Sequence, residues 1–159
     1  MGKNNIDSNG KQGAQTIMSY LDTKQALLTQ LLATSITGVT SDDIAYENFY
    51  FDPSNKNLWL AVYFIPATSE PMGKSATASD EQRGIFQVSV FVALNNSSAN
   101  NAQLTAIDEI LAGFQYNSST VYNAQQVDIL EATTNSGSEN ESWFRRDISI
   151  NYLTFSTRG

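Results

Sequence analysis

Cysteine and histidine, two residue types that many active sites require, are both absent from the 159-residue sequence. Without cysteine, the chain has no disulfide, no thiolate nucleophile and no cysteine-containing zinc site. Without histidine it has no imidazole general base, so Ser-His-Asp and Cys-His catalytic arrangements are excluded. What remains available is an all-oxygen site for Mg²⁺ or Ca²⁺, or a pair of catalytic carboxylates.

Charge is also scarce, at 16% of residues, and it is unbalanced, with 9 Lys+Arg against 16 Asp+Glu and a formal net charge of -7. Because affinity for nucleic acid comes largely from Lys and Arg, we expect no stable nucleic-acid binding. No apolar run reaches the ~18–20 residues of a transmembrane helix, so no membrane partner is expected. The first fifteen residues lack the apolar region of a secretory signal.

The apolar residues, 41% of the chain, are sufficient for one core, and the length suits one domain of roughly 100–200 residues. Residues 1–14 are polar and are predicted to form a flexible N-terminal arm, followed by a single domain over 15–159. Leucines at helical spacing predict an amphipathic helix at about Ala14–Thr34, and a second apolar stripe predicts a helix at about Ala99–Phe114.

Five segments rich in β-forming residues predict strands. They are Ile44–Phe51, Leu58–Ile65, Gly84–Leu94, Val121–Ala132 and Trp143–Phe155. Pro66 is expected to end the second strand, and residues 67–83 are expected to form a long polar loop. The order predicts an α+β domain: a four- to five-stranded, mainly antiparallel sheet with two helices packed on one face. The second strand is apolar on both sides, which indicates a central position or a partner chain against its second face.

No motif in the sequence predicts catalysis or cofactor binding. Phosphate-loop patterns are absent. The acidic pairs Asp42-Asp43, Asp80-Glu81 and Asp108-Glu109 are adjacent in sequence, whereas a catalytic pair needs carboxylates on facing elements. We therefore predict no catalytic, cofactor-binding or metal-binding residues and no enzyme. The alternative from another class is a carboxylate-dependent enzyme or small-ligand binder, which would need a deep pocket with convergent acids.

The remaining signals concern contacts between proteins, because long loops and arms that order on contact often join subunits. We expect contacts from the arm, from the 67–83 loop and from a second polar loop at 133–142. The candidate interaction residues are Glu70, Pro71, Met72, Lys74, Arg83, Trp143 and Arg145.

Five segments, taken in order, resemble the tail terminator proteins (tail completion proteins, minor tail protein U-like) of long-tailed bacteriophages. These segments are QALLTQLL, LWLAVYFIPA, RGIFQVSVFVAL, LTAIDEILAGF and SWFRRDISINYLTF. The resemblance covers roughly residues 15–155, and it consists of elements and residue types rather than a catalytic signature. It offers no motif whose functional residues could be carried over.

The resemblance implies a homo-oligomer, a hexameric ring that stacks on the last ring of the tail tube and ends its polymerisation. The ring's other partner would be the head connector or neck protein, with DNA passing only transiently through the lumen. The protein would then lie in the virion, at the neck-proximal end of the tail, after assembly in the host cytoplasm. The alternative within this class is a head–tail adaptor or neck protein.

Overall fold

The computed structural model describes residues 20–157, so the predicted arm and the predicted first turns of the first helix lie outside the described residues. The helices are α1 (Tyr20–Ala33) and α2 (Ala99–Gly113), with a short 3-10 turn at Ser41–Asp43. The strands are β1 (Ile44–Ala45), β2 (Leu58–Pro71), β3 (Ser79–Ala93), β4 (Ser119–Tyr122), β5 (Gln125–Thr134), β6 (Ser138–Asn140) and β7 (Trp143–Thr157). Neither helix is long and apolar enough to cross a membrane.

The seven strands described form one sheet in the order β1-β2-β3-β7-β5-β4, with β6 also paired to β7. All the pairs are antiparallel except β1 with β2, which is parallel. The α+β class with two helices is confirmed. The predicted strand count of four to five was too low, and the sheet is mixed.

The core lies between the two helices and one face of this sheet. Period-2 alternation places Phe86, Val88 and Val90 of β3 on that face, and all three are buried. Leu27 of α1 and Ile107 of α2 belong to the same buried cluster, so both helices cover the same face. This confirms the predicted packing of the helices.

The buried helix faces differ in part from the predicted stripes. Leu32 and Leu104 are exposed, whereas the polar Gln103 is fully buried in α2. The amide nitrogen of Gln103 donates to the backbone oxygens of Val90, at 2.9 Å, and Phe144, at 3.2 Å. These two hydrogen bonds compensate for burial of a polar group, which is why a glutamine can replace an apolar residue at this position.

The prediction that Pro66 ends the second strand was wrong, because β2 continues through it to Pro71. The Phe64 amide faces away from β3 and donates to the Glu47 carboxylate at 2.8 Å. The nitrogen of Pro66, two residues further on, lies on that same outer edge of β2. Strand β1 pairs with this edge only at Leu60 and Ala61, so the edge has no β1 partner at Pro66. Proline is tolerated at such an edge because no ladder bond is lost. The predicted 67–83 loop is therefore mostly strand, with a short tip.

Two other strand predictions also needed correction. Ile44–Phe51 forms a strand only at Ile44–Ala45, and a turn with Asn48 at φ 63° then leads into a loop. Val121–Ala132 is a hairpin, β4 and β5, with its turn at Asn123 and Ala124. Both turn residues have positive φ, 49° and 63°, as two-residue hairpin turns require. Alanine rarely adopts that conformation, so the sequence carries no strong turn signal here.

Candidate interaction surfaces

One face of the sheet is turned away from both helices, and we call it the open face. It carries the odd-numbered residues of β7 from Trp143 to Phe155, of β3 from Arg83 to Phe91, and of β2 from Trp59 to Ile65. The even-numbered residues of β7, among them Ile148, Ile150 and Tyr152, are buried on the other side.

Aromatic rings pack together at one end of the open face, and we call them the aromatic cluster. Trp59 stacks on Phe91 with ring centroids 4.0 Å apart, while Trp143 meets Trp59 edge-on at 5.7 Å. Phe51 adds a fourth ring, 5.0 Å from Trp59. Phe91 is only 5% exposed although no helix covers it. The cluster is thus a small second core, and the predicted contact residue Trp143 contributes to it.

A hydrogen-bonded carboxylate adjoins this cluster. Arg145 donates from Nε to Asp147 at 2.7 Å, and its guanidinium lies 5.6 Å from the Phe91 ring centre. Ser89 donates its hydroxyl to the same carboxylate at 2.6 Å. Burial alone would raise the pKa of Asp147, but the bonds from Arg145 and Ser89 outweigh it and hold this pKa below its usual value. The carboxylate is therefore ionised at neutral pH and fixes Arg145 in place.

The other end of the open face belongs to the distal hairpin, which we define as residues 66–83. Its two strands pair from Pro66 with Gly84 to Pro71 with Asp80, and the Met72 amide donates to the Ser79 oxygen at 2.9 Å to close the tip. Five predicted contact residues lie in this hairpin: Glu70, Pro71, Met72, Lys74 and Arg83. All five are exposed, and Met72 is 60% exposed. Arg83 also pairs with Glu81 at 3.0 Å.

The seven predicted contact residues therefore do not form one site. Trp143 pairs with Ala93 across β3 and β7, whereas Arg83 lies ten positions further along β3. At about 3.3 Å per residue, this separates the two groups by roughly 33 Å. One group lies in the aromatic end and the other in the distal hairpin.

Two exposed aromatic residues were missed by the sequence interpretation, which placed them inside a strand. Phe49 is 74% exposed and Tyr50 is 92% exposed, and we call this pair the knob. Its loop is anchored on both sides: Glu47 accepts the Phe64 amide, and Phe51 packs on Trp59. The available sequence signal was the Asp52-Pro53 turn that closely follows Phe49 and Tyr50, because such turn residues are typical of a loop.

A groove of about 430 Å³ lies on the far side of the sheet, and we call it the β5 groove. Its lining comes from the end of α2, the segment after it and the middle of β5: Leu111, Phe114, Gln115, Tyr116, Leu130, Glu131 and Ala132. Leu130 lies in a β-bulge, between the register pairs made by Ile129 and Glu131. Among residues 20–157, no group of three or more acidic side chains is placed to hold a metal ion.

The family model of the phage tail terminator proteins matches residues 22–152, which include nearly all of α1, all of α2 and most of the sheet. The chain belongs to the phage tail terminator protein family. This tail terminator is therefore a structural protein of the phage tail, without enzymatic activity, and interacts with other phage proteins. The resemblance drawn from the sequence and the prediction that the protein is not an enzyme are both confirmed.

Among solved structures, 25 chains are similar to the tail terminator. One of them, whose name carries no functional description, has a TM-score of 0.66 and 20% sequence identity, and the similarity covers 86% of this chain and 96% of that one. At this identity the similarity shows a shared fold. No curated protein matches the sequence.

Proposed function

We propose that this tail terminator forms a ring, most simply a hexamer, on the last ring of the tail tube. The ring ends tube polymerisation and provides the junction to the head connector, and DNA passes through its lumen. The match to the terminator family over residues 22–152 is the observation that carries this proposal. The protein would then occupy the neck-proximal end of the tail after assembly in the host cytoplasm.

The mechanism we propose is non-covalent and uses two annular faces. One face binds the terminal tube ring, and the other lacks the surface on which tube subunits polymerise. The distal hairpin is our first choice for the tube contact, because Met72 and Lys74 at its tip are exposed and free of packing against the core. The segment at 133–142, predicted as a loop, contains the end of β5 and all of β6, and it is the second choice. The arm at 1–14 stays a predicted contact outside the described residues.

The charge of the subunit supports passage of DNA without retention. The net charge of -7 leaves few cations to bind phosphate groups. The same side of the sheet carries carboxylates beyond the open face as defined: Glu70 lies opposite Glu81 in the distal hairpin, and Asp128 of β5 lies opposite Leu153 of β7. A lumen with an excess of carboxylates repels the DNA backbone, so DNA would slide through such a ring.

Electron microscopy of the purified protein mixed with polymerised tail tubes tests this function. We expect a ring of extra density at one end of each tube and bare tube walls. A head–tail adaptor would instead bind isolated connectors and leave the tube ends bare. Binding along the tube walls, or no binding to tubes, would contradict the proposal.

A further inference from the structure

The knob has the properties of a preorganised contact surface. Phe49 and Tyr50 are adjacent and highly exposed. The backbone that carries them is fixed from three directions, by Glu47 on the Phe64 amide, by Phe51 on Trp59, and by an ion pair from Lys56 to Asp43 at 2.8 Å. Rigid aromatic side chains lose little conformational freedom on binding, and such residues commonly dominate the energy of protein interfaces.

The β5 groove has the complementary properties. Its apolar lining comes from the partly buried Leu111 and Leu130, with the fully buried Phe114 beneath them and the exposed Tyr116 at the side. Its volume of about 430 Å³ lies within the roughly 300–1,000 Å³ of typical ligand pockets, so it has room for aromatic side chains. The exposed Gln115 and Glu131 add side-chain oxygens that can accept a hydrogen bond from the Tyr50 hydroxyl.

The strand order places these two features at opposite edges. The knob follows β1 and precedes β2, at one edge of the β1-β2-β3-β7-β5-β4 sheet. The groove lies at the other edge and includes residues 130–132 of β5. These residues follow the Gln125–Asp128 stretch, which pairs with β4. A projection and a recess on opposite edges of one subunit give a head-to-tail contact, and such contacts generate rings when the rotation closes.

We propose that the knob of one subunit inserts into the β5 groove of a second copy of this chain, and that this contact joins neighbours in the ring. The inference rests on the proposed ring function and names its subunit interface. Two aromatic side chains bury roughly 300–500 Å². A standard interface buries about 800 Å² per partner, so the knob supplies about half and the flanking sheet edges supply the rest.

Site-directed cross-linking tests the contact directly, because the chain contains no cysteine that could react in the background. Tyr50→Cys and Gln115→Cys are introduced at exposed positions, and a short bismaleimide is applied to protein on tube ends and to concentrated protein. A chain with both substitutions should give a ladder from dimer to closed ring. A mixture of the two single variants should give dimers only, and each single variant alone should stay monomeric.

The matched control combines Tyr50→Cys with Asn100→Cys, an exposed position about 22 Å along α2 from the groove at 1.5 Å per residue. This pair should give no ladder. Dimers from Tyr50→Cys alone would show a symmetric contact and overturn the inference, as would cross-links from Tyr50→Cys to the tube protein. A ring at tube ends without Tyr50–Gln115 cross-links would overturn the inference and leave the proposed function standing.

Removal of the knob gives a second readout. Phe49→Ser with Tyr50→Ser should reduce the assembled fraction at least tenfold and leave the thermal midpoint of the unassembled subunit unchanged, because neither side chain is in the core. Leu21→Ser removes a similarly exposed apolar side chain from α1 and should assemble normally. Rings of normal stability from the knob variant would overturn the inference. A wild-type chain that assembles neither on tubes nor at high concentration would contradict both the inference and the proposed function.

Discussion

The two ends of the open face are built from the same three strands, β2, β3 and β7, but their side chains have different neighbours. At the aromatic end, Trp59, Phe91 and Trp143 contact one another, and Asp147 fixes Arg145 beside them. At the distal hairpin, Met72 at the tip lies in solvent. We infer that the aromatic end stabilises the subunit, whereas the hairpin is available for contacts with other proteins. Substitutions at the two ends should therefore separate stability from assembly.

The largest loss of stability is expected at the aromatic end from Phe91→Ala. This change removes a nearly buried ring that stacks on Trp59 at 4.0 Å and lies beneath the Arg145 guanidinium. Comparable truncations of buried aromatic residues cost about 3–5 kcal/mol. The free energy of unfolding from urea titration measures the effect, with Met72→Ala as the matched control at the hairpin. Equal losses of unfolding free energy in Phe91→Ala and Met72→Ala would contradict the claim that only the aromatic end stabilises the subunit.

A smaller loss is expected from Gly84→Ala, at the base of the hairpin where the two regions meet. An added Cβ would lie 2.5 Å from the Tyr152 hydroxyl oxygen and 2.6 Å from the Ile65 backbone oxygen. Tyr152 is itself buried and stacked on Phe64, and the neighbouring backbone is paired in the sheet, so overpacking of about 1–3 kcal/mol is expected. Thermal unfolding measures this loss of stability. A midpoint for Gly84→Ala equal to that of the wild type would show that the strands can move apart at this position without cost.

Asp147→Asn should cost about 1 kcal/mol at pH 7, because it removes a charge-assisted bond from Arg145. The pKa of Asp147 is lowered in the folded state, so its contribution to stability is present above the unfolded pKa of about 3.9. That contribution is lost as the pH falls through the folded pKa. The unfolding free energies of the variant and the wild type should thus begin to converge as the pH falls below about 4, and should coincide only below the folded pKa of Asp147. A difference in unfolding free energy that persists at low pH would show that the substitution acts through the shape of the side chain rather than through its charge.

The smallest change in stability, within about 0.5 kcal/mol, is expected from Met72→Ser combined with Lys74→Ser at the hairpin tip. The same variant should lose binding to tube ends, because the substituted side chains are proposed to contact the tube. Co-sedimentation with polymerised tubes measures the binding. Normal binding by this variant would exclude the tip as the tube contact, and a large loss of stability would contradict the assignment of its side chains to the surface.

The sequence predicted the elements in which local pattern and tertiary environment agree. The positions of β3 and β7 in the chain and the boundaries of α2 followed from the residue pattern, because one face of each element is buried against the core. Pro66 misled the interpretation, because proline ends an interior strand but is tolerated at an edge, and edges are defined only by the assembled sheet. The Asn123-Ala124 turn was missed for a related reason, since its positive φ values are imposed on an alanine by the pairing of β4 and β5.

The five candidate contact residues in the distal hairpin are exposed, whereas Trp143 and Arg145 are partly buried, and the sequence did not predict how the seven are grouped. Register alone decides that Arg83 and Trp143 lie at opposite ends of one face, and the sequence does not specify register. The knob was missed because Phe49 and Tyr50 are residue types common in strands, and their exposure follows from the fold, in which Glu47 and Phe51 anchor the loop that carries them.

The most direct test of the central claim is the length of tail tubes grown from purified tube protein in the presence of this chain. If the chain is a terminator that caps the tube, substoichiometric amounts should stop elongation, and the stopped tubes should each carry one ring at one end. Tubes that continue to elongate at the same rate with the chain in excess would contradict the account.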